Sequence, residues 1–247
     1  MLSEFNFNQL RKFTSLMLAL QKKNTLFGFL LGLIPPLVTA LSIELFIGKI
    51  IDGAAHTNGL KGVSVLFFIL FSNVISQSTE GLKRYSSIVK HSYLTPTTVI
   101  LAETWVQYLS FVAAFLIIAI TFTIPVEIIF ELFVLSFFVL LYSFFIAYYL
   151  VVVSSILEDF SRVIAILFQV IFWVSPILYG IRQINHHLAY FFMLSPFHSV
   201  FEVVHLIFTP SDFNIRILTI SLLSSLSFML ILKFLLGHLR KKVLVFL

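Results

Sequence analysis

The sequence predicts an all-α, polytopic membrane protein with six transmembrane helices, and three observations lead to that prediction. Hydrophobic residues make up 60% of the 247 residues and charged residues only 11%, whereas a soluble domain is usually about 45–50% apolar and about 25% charged. Apolar segments near the roughly 20 residues needed to cross a bilayer recur along the chain. Lys and Arg lie mostly at the ends of those segments. Together the segments leave no room for a soluble domain of ordinary size.

The chain begins with a segment that predicts an interfacial helix over residues 8–25. Leu10, Phe13, Met17 and Leu20 recur at helical spacing, with basic residues off that stripe. Such a pattern is typical of an amphipathic helix lying flat on the cytoplasmic leaflet, and a solvated leader is the alternative. Because no early apolar core ends in a small-residue cleavage site, we expect no cleaved signal peptide.

Six apolar segments are predicted to span the membrane. In chain order they are Leu26–Ile51, Val63–Gln77, Thr98–Ile124, the segment from Pro125 to Leu157, Val163–Tyr179 and Ile215–Leu236. Pro35 and Pro36 interrupt the first span, which predicts a kink packed against neighbouring protein. The second has the shortest uncharged core. One tight turn between spans is marked by Pro125, Glu127 and Glu131, and another by Glu158, Asp159 and Arg162.

The polar stretch 78–96 predicts a cytoplasmic element that binds a partner. Leu82, Tyr85 and Val89 form an apolar stripe, surrounded by the basic residues Lys83, Arg84 and Lys90. A short helix with this pattern is suited to docking in a groove of a soluble protein, with a solvated loop as the alternative. Pro96 ends the element and opens the third span.

The region 180–214 is apolar but broken by histidines, prolines and charges, and the distribution of basic residues decides how it is interpreted. With six spans, twelve Lys and Arg lie inside and four outside, which accounts for all 16. A seventh span would place the basic tail of Arg240, Lys241 and Lys242 outside, against the positive-inside rule. We therefore predict two re-entrant or interfacial helices on the external face, shaped like a gate or pore mouth, and both termini in the cytoplasm.

The sequence offers little catalytic or metal-binding chemistry. It has no cysteine, no phosphate-binding G-x-x-x-x-G-K-[ST] loop and no His cluster at zinc spacing. The Lys and Arg residues that give the net charge of +5 lie at helix ends near lipid headgroups, so we expect no nucleic-acid partner. Apart from the acids that mark the tight turns, Glu44 and Glu103 are the only carboxylates within predicted spans, and both lie near helix ends. We expect no catalytic residues, no bound metal or cofactor, and no enzyme activity in this chain.

The chain is rich in aromatic residues, with 30 Phe, 8 Tyr and 2 Trp, and several share helix faces. On the fifth span these are Phe168, Phe172, Ser175 and Tyr179, and on the fourth they include Tyr142 and Tyr149. One interpretation is lipid-facing or packing side chains. The other is a substrate path in which rings stack on the apolar faces of sugars and tyrosine hydroxyls bond their edges.

An ordered set of motifs resembles the permease subunit of bacterial ABC transporters that export surface polysaccharide (O-antigen, capsule or teichoic acid). The motifs are Leu26-Phe27-Gly28-Phe29-Leu30 leading to Pro35, Ser87-Ile88-Val89-Lys90 leading to Pro96, Asp159–Arg162, Phe172-Trp173-Val174-Ser175-Pro176-Ile177-Leu178-Tyr179, and Ser195-Pro196-Phe197-His198 followed by Glu202. The Ser-Pro-Ile-Leu-Tyr segment is the most specific piece, and the choice between the O-antigen and capsule branches stays open.

The resemblance implies a homodimer around a central channel in the bacterial cytoplasmic (inner) membrane, with two copies of a separate ATPase subunit that holds ATP and Mg. The substrate would be a lipid-linked glycan, and the energy would come from the partner. It further implies coupling contacts at Lys83, Arg84, Tyr85, Lys90 and Pro96, and a gate near Pro176 and Pro196. An ABC permease for a lipid, drug or peptide and a secondary transporter remain as alternatives.

Overall fold

The computed structural model describes residues 11–15, 28–48, 59–85, 95–157, 159–175, 195, 197–209 and 215–243. Every secondary-structure element in these ranges is helical, which confirms the all-α class. After a helical segment at 11–15, the helices are α1 (Gly28–Ser42, continued by a π-helical segment Ile43–Gly48), α2 (Leu60–Arg84), α3 (Pro96–Thr121), α4 (Val126–Ile156), α5 (Phe160–Val174), α6 (His198–Phe208) and α7 (Ile215–Val243).

Four of these helices are long and apolar enough to cross a membrane, which fits a membrane-embedded protein. They are α2, α3, α4 and the Ile215–Gly237 part of α7, and they correspond to the predicted second, third, fourth and sixth spans. The described parts of the predicted first and fifth spans are shorter apolar helices, Gly32–Ile47 and Phe160–Trp173. In the region 180–214, the described helix is α6.

Helix α2 lies at the centre of the bundle and contacts α1, α3, α4, α5 and α6. Val63, Val65 and Ile75 are fully buried on its different sides, as expected of a helix that is apolar all round. This helix begins three residues earlier and ends seven residues later than the predicted second span. Residues 78–84 are therefore its last two turns rather than the start of a separate element.

The buried carboxylate of Glu44 binds the amino-terminal end of α2. It accepts hydrogen bonds from the backbone N–H groups of Gly59 at 3.0 Å and Gly62 at 2.6 Å. Gly59 adopts a φ of 92° and offers no side-chain cap, so Glu44 from the preceding helix satisfies donors that would otherwise be unpaired. A Cβ on Gly62 would lie 3.3 Å from the Ala40 carbonyl oxygen, so glycine there permits this close approach.

Prolines and polar residues stand at the start of several helices. Thr95 caps α3, since its hydroxyl accepts from the Thr98 N–H at 3.3 Å, and Pro96 occupies the first turn, where its missing N–H costs nothing. Pro125 directly precedes α4. Asp159 precedes α5, and its carboxylate pairs with Arg162 at 3.2 Å on the surface.

A large apolar surface covers the outside of the bundle, chiefly on α4, α5 and α7. It includes Phe138 (62% exposed), Trp173 (60%) and Phe234 (86%). Water would not tolerate a surface of this extent, whereas hydrocarbon does. The exposed face is therefore the one suited to lipid.

The described part of the predicted interfacial helix contacts protein. The ring of Phe13 is buried against Val99 and Ala102 and meets Tyr85 edge-on, with ring centroids 5.5 Å apart. Arg11 is exposed beside it. The other apolar residues of the predicted stripe fall outside the described residues, so a flat position on the membrane stays a prediction.

Candidate functional site

Aromatic rings from several helices meet around α2, and they form the site that most resembles the predicted substrate path. We call this group the aromatic cluster. Its members are Phe68 and Phe71 on α2, Tyr142 on α4, Phe168 and Phe172 on α5, Phe197 just before α6, and Phe201 on α6.

Phe71 joins three of the cluster's helices. Its ring stacks on Tyr142 with centroids 5.8 Å apart and planes 20° apart, and it meets Phe168 edge-on at 5.7 Å. The closest contact in the cluster is between Phe71 and Phe197, at 4.3 Å. Each such pair stabilises the fold by about 0.5–1.5 kcal/mol beyond the apolar area it buries.

Phe68 lies one helical turn from Phe71, and its ring likewise contacts rings on α5, on α6 and just before α6. Its ring lies 5.3 Å from Phe172, 5.7 Å from Phe197 and 6.5 Å from Phe201, with which it is nearly parallel. Phe172 in turn contacts the exposed ring of Trp173 at 5.4 Å. The cluster thus extends from the buried centre of the bundle toward the outer surface of α5.

The structure brings together three of the residues predicted for the substrate path, Phe168, Phe172 and Tyr142. Tyr149 makes its ring contact with Tyr148 instead, at 5.4 Å. Ser175 is buried at the end of α5, where its N–H donates to the Ile171 carbonyl oxygen. The remaining predicted path and gate residues, Tyr179, Pro176 and Pro196, lie outside the described residues.

A chain of hydroxyl groups lies beside the aromatic cluster and connects α4, α7 and α6. The Tyr142 side chain hydrogen-bonds to that of Ser225, and the Ser225 and Ser199 hydroxyl oxygens are 2.9 Å apart. Both serines are buried. We call these three residues the hydroxyl chain. It is one polar contact between α6 and the long helices.

The carboxyl-terminal end of α2 holds the described residues of the predicted coupling element, and each contacts a different part of the chain. Lys83 Nζ donates to the Leu157 carbonyl oxygen at 3.2 Å. Arg84 pairs with Glu80 at 3.0 Å, while Tyr85 contacts the 11–15 segment. Lys90 lies outside the described residues. Pro96 begins α3 on the far side of the undescribed segment 86–94.

The two candidate carboxylates, Glu44 and Glu103, contact opposite ends of α2. Glu44 binds the amino-terminal amides. Glu103 on α3 is 97% buried and lies against Gly81, where an added Cβ would be 3.0 Å from its side chain. The Arg84 guanidinium attracts it electrostatically, which offsets part of the cost of a buried charge.

Sequence reasoning missed four members of the aromatic cluster, namely Phe68, Phe71, Phe197 and Phe201. Their spacings, i to i+3 and i to i+4, place each pair on one helix face and could have indicated them. They were passed over because the second predicted span had a short uncharged core and the region 180–214 is interrupted by polar residues. Their roles emerge only when α2 is placed at the centre.

Comparisons with known proteins do not assign a family. No family model matches the chain, and no curated protein matches it. In the part of the chain that the structure describes, no three His, Asp or Glu side chains are grouped closely enough to hold a metal ion. The function is therefore argued from the residues alone.

Proposed function

We propose that this chain is the membrane-spanning subunit of an ATP-driven exporter that moves a lipid-linked polysaccharide across the bacterial cytoplasmic membrane. It would have six spans, with α1 and α5 belonging to the two shorter ones, and both termini in the cytoplasm. Two copies would surround the path. Two separate ATPase subunits would bind ATP and Mg and supply the energy.

The observation that carries the proposal is the aromatic cluster. Rings from α2, α4 and α5 and from the start of α6 meet at one place within an apolar bundle, and Phe168 and Phe172 are partly exposed. A sugar presents apolar C–H faces to rings and hydroxyls to its edges, and aromatic side chains with a polar tip suit both. Stacking is broad and weakly position-specific, so it favours a polymer that slides.

The carboxyl-terminal end of α2 supports the coupling part of the proposal. Lys83 bonds the residue that follows α4, Glu103 of α3 attracts Arg84 electrostatically, and Tyr85 contacts the 11–15 segment. A displacement of the end by a partner would therefore be felt by several elements at once. The same helix carries Phe68 and Phe71, so a rigid α2 would convey that displacement to the aromatic cluster.

The test is export by single-ring variants in membranes that hold the complete complex. We expect Phe172→Ala and Tyr179→Ala to lower export of the lipid-linked glycan while the partner ATPase still co-purifies. Phe234→Ala is the matched control, because it removes the same ring from an 86% exposed position on α7 that lies outside the aromatic cluster. Normal export by both path variants would remove the aromatic path from the proposal.

A secondary transporter is the second candidate, and Glu103 is the observation that favours it. A carboxylate 97% buried inside a candidate span is the kind of group that carries ions or protons in transporters. The two functions differ in their energy source. Transport that continues in the absence of nucleotide would support the second candidate, whereas a stoichiometric subunit with a phosphate loop supports the first.

A further inference from the structure

Helix α2 is apolar over most of its surface, but its carboxyl-terminal half carries a polar face. Five residues at helical spacing share this face, and we call them the polar stripe: Ser72, Asn73, Ser76, Gln77 and Glu80. The first four are half-buried, and the fifth is exposed. On the other sides of the same turns, Val74, Ile75 and Thr79 are fully buried. The polar stripe is therefore the side of α2 that the described helices leave partly open.

Neighbouring helices stand on both sides of the polar stripe. On one side, a Cβ on Gly81 would lie 3.0 Å from the Glu103 side chain of α3. On the other side, Phe68 contacts Phe172 of α5 at 5.3 Å. Toward the start of α2, Gly62 lies on the same face and is covered by α1. The polar stripe is thus the floor of a groove between α3 and α5.

Two amides of the polar stripe lack the partners that a polar group in a bilayer needs. Asn73 and Gln77 each offer two N–H donors and a carbonyl acceptor. Within the described part of the chain, the structure gives neither amide a hydrogen-bond partner. Unpaired polar groups are costly in hydrocarbon, so polar side chains within spans face water-filled cavities or pair with other polar groups. The groove is therefore suited to a hydrated, hydrogen-bonding occupant rather than to lipid.

The charged residues at the carboxyl-terminal end of this face already have partners. Glu80 and Arg84 lie 3.0 Å apart, and Lys83 donates to the Leu157 carbonyl oxygen. The other polar groups of the stripe are neutral amides and hydroxyls. Since a hydroxyl group both donates and accepts, it matches both ends of an amide. The polar stripe therefore favours a neutral, hydroxyl-rich occupant over an ion.

The shape of the groove favours a chain-like ligand over a second copy of the protein. The amides of the polar stripe are recessed, whereas Phe234 and Leu226 on the outer surface are 86% and 58% exposed. A helix of a second copy would meet the sides of the groove before it reached the amides. Phe172 at the side of the groove is half-exposed, and an aromatic ring beside amides suits the apolar face of a sugar.

We propose that the polar stripe is a glycan-binding site, in which Asn73 and Gln77 bond to sugar hydroxyls beside the aromatic cluster. The inference rests on the proposed function, because it takes the transported substrate to be a glycan. The amides add a selectivity that the rings do not supply. Stacking is weakly position-specific, whereas a site built to bond a hydroxyl rejects a ligand that lacks it.

Single cysteines test whether the groove holds water, since the chain has no native cysteine. A charged, membrane-impermeant maleimide is added to the full chain in lipid nanodiscs. It should modify Asn73→Cys and Gln77→Cys at least about tenfold faster than the buried Ile75→Cys, because it attacks thiolates, which apolar surroundings suppress. Leu226→Cys, on the outer surface, is the lipid control and should also react slowly. Equal rates at positions 73 and 75 would overturn a hydrated groove.

Protection by a neutral sugar tests the occupant. Maltohexaose, a neutral linear oligosaccharide, should slow the modification of Gln77→Cys. Polyethylene glycol of similar mass, which has no hydroxyls along its chain, should not. Adding Asn73→Leu should raise the maltohexaose concentration needed for half-protection roughly 2–10-fold. Ser72→Ala is the matched control and should leave it unchanged, because that hydroxyl already bonds the Ile69 carbonyl oxygen at 3.2 Å.

Two outcomes would overturn the glycan site. One is modification of Gln77→Cys that maltohexaose does not slow. The other is a disulfide between two copies of Asn73→Cys, which would show that a second copy occupies the groove. Protection in a protein that exports no glycan would support the site and remove only the proposed function. A lack of protection in a protein that does export glycan would remove only the site.

Discussion

Removal of the Glu44 carboxylate is the sharpest test of how the central helix is held. Glu44 accepts two hydrogen bonds from amides at the start of α2 and is itself only 5% exposed. Glu44→Ala would leave both donors buried without their partner. Glu44→Gln would keep one acceptor oxygen and lose the negative charge that the positive end of the helix dipole favours.

The magnitude follows from those contacts. A hydrogen bond to a charged group contributes about 1.5–3 kcal/mol, and a donor left buried costs about 1–3 kcal/mol. Water entering the space would recover part of this, so we expect Glu44→Ala to lower the free energy of unfolding by about 3 kcal/mol. We expect about half of that for Glu44→Gln, because one of the two bonds can persist.

The assay is unfolding in detergent, followed by circular dichroism, with the midpoint temperature and an SDS titration as separate measures. A loss of about 3 kcal/mol lowers the melting temperature of a chain this size by about 6–12 °C. Glu127→Ala is the control: it removes an acid that lies near the start of a helix but is exposed, and it should cost about 1 kcal/mol at most. A Glu44→Ala protein that melts like this control would refute the capping argument.

Two further predictions concern the other end of α2. Gly81→Ala places a Cβ 3.0 Å from Glu103. We expect thermal melting to show a loss of about 1 kcal/mol in the free energy of unfolding, because overpacking outweighs the gain in helix propensity. The control Gly237→Ala meets nothing within 4 Å and should be neutral or stabilising, and equal effects of the two substitutions would contradict the clash. Phe13→Ala removes the ring that contacts Tyr85. We expect trypsin to cleave after Arg11 and Lys12 at least several times faster in native membranes. Unchanged cleavage would show that the ring does not hold this segment.

The fold class and the helix ends were largely predictable from the sequence. Pro96 begins α3 and Pro125 precedes α4, as the prolines in the sequence predict. The extent of α2 was not predictable, because its polar last turns resemble a loop. They continue the helix because Ser78, Thr79 and Leu82 are buried against neighbouring helices, and such burial is invisible to a local pattern.

The candidate site was predictable only in part. The face shared by Phe168 and Phe172 follows from helical spacing alone, and the structure does place both rings in one cluster. Their partners Phe68 and Phe71 are about 100 residues earlier in the chain, and no local rule connects them. The same separation hides the contact between Ser199 and Ser225, since serines in an apolar helix are equally compatible with bonding their own backbone.

The sequence by itself determined that this chain is helical and suited to a membrane, because composition and the length of apolar runs decide both. It also determined most of the turns, since proline and capping residues act within a few positions. Only the tertiary structure decided that α2 is the central helix, that Glu44 and Glu103 face its two ends, and that rings from separate helices meet. The physical reason is that every long helix here is apolar, and in a bilayer hydrophobicity does not distinguish a helix face that packs on protein from one that faces lipid.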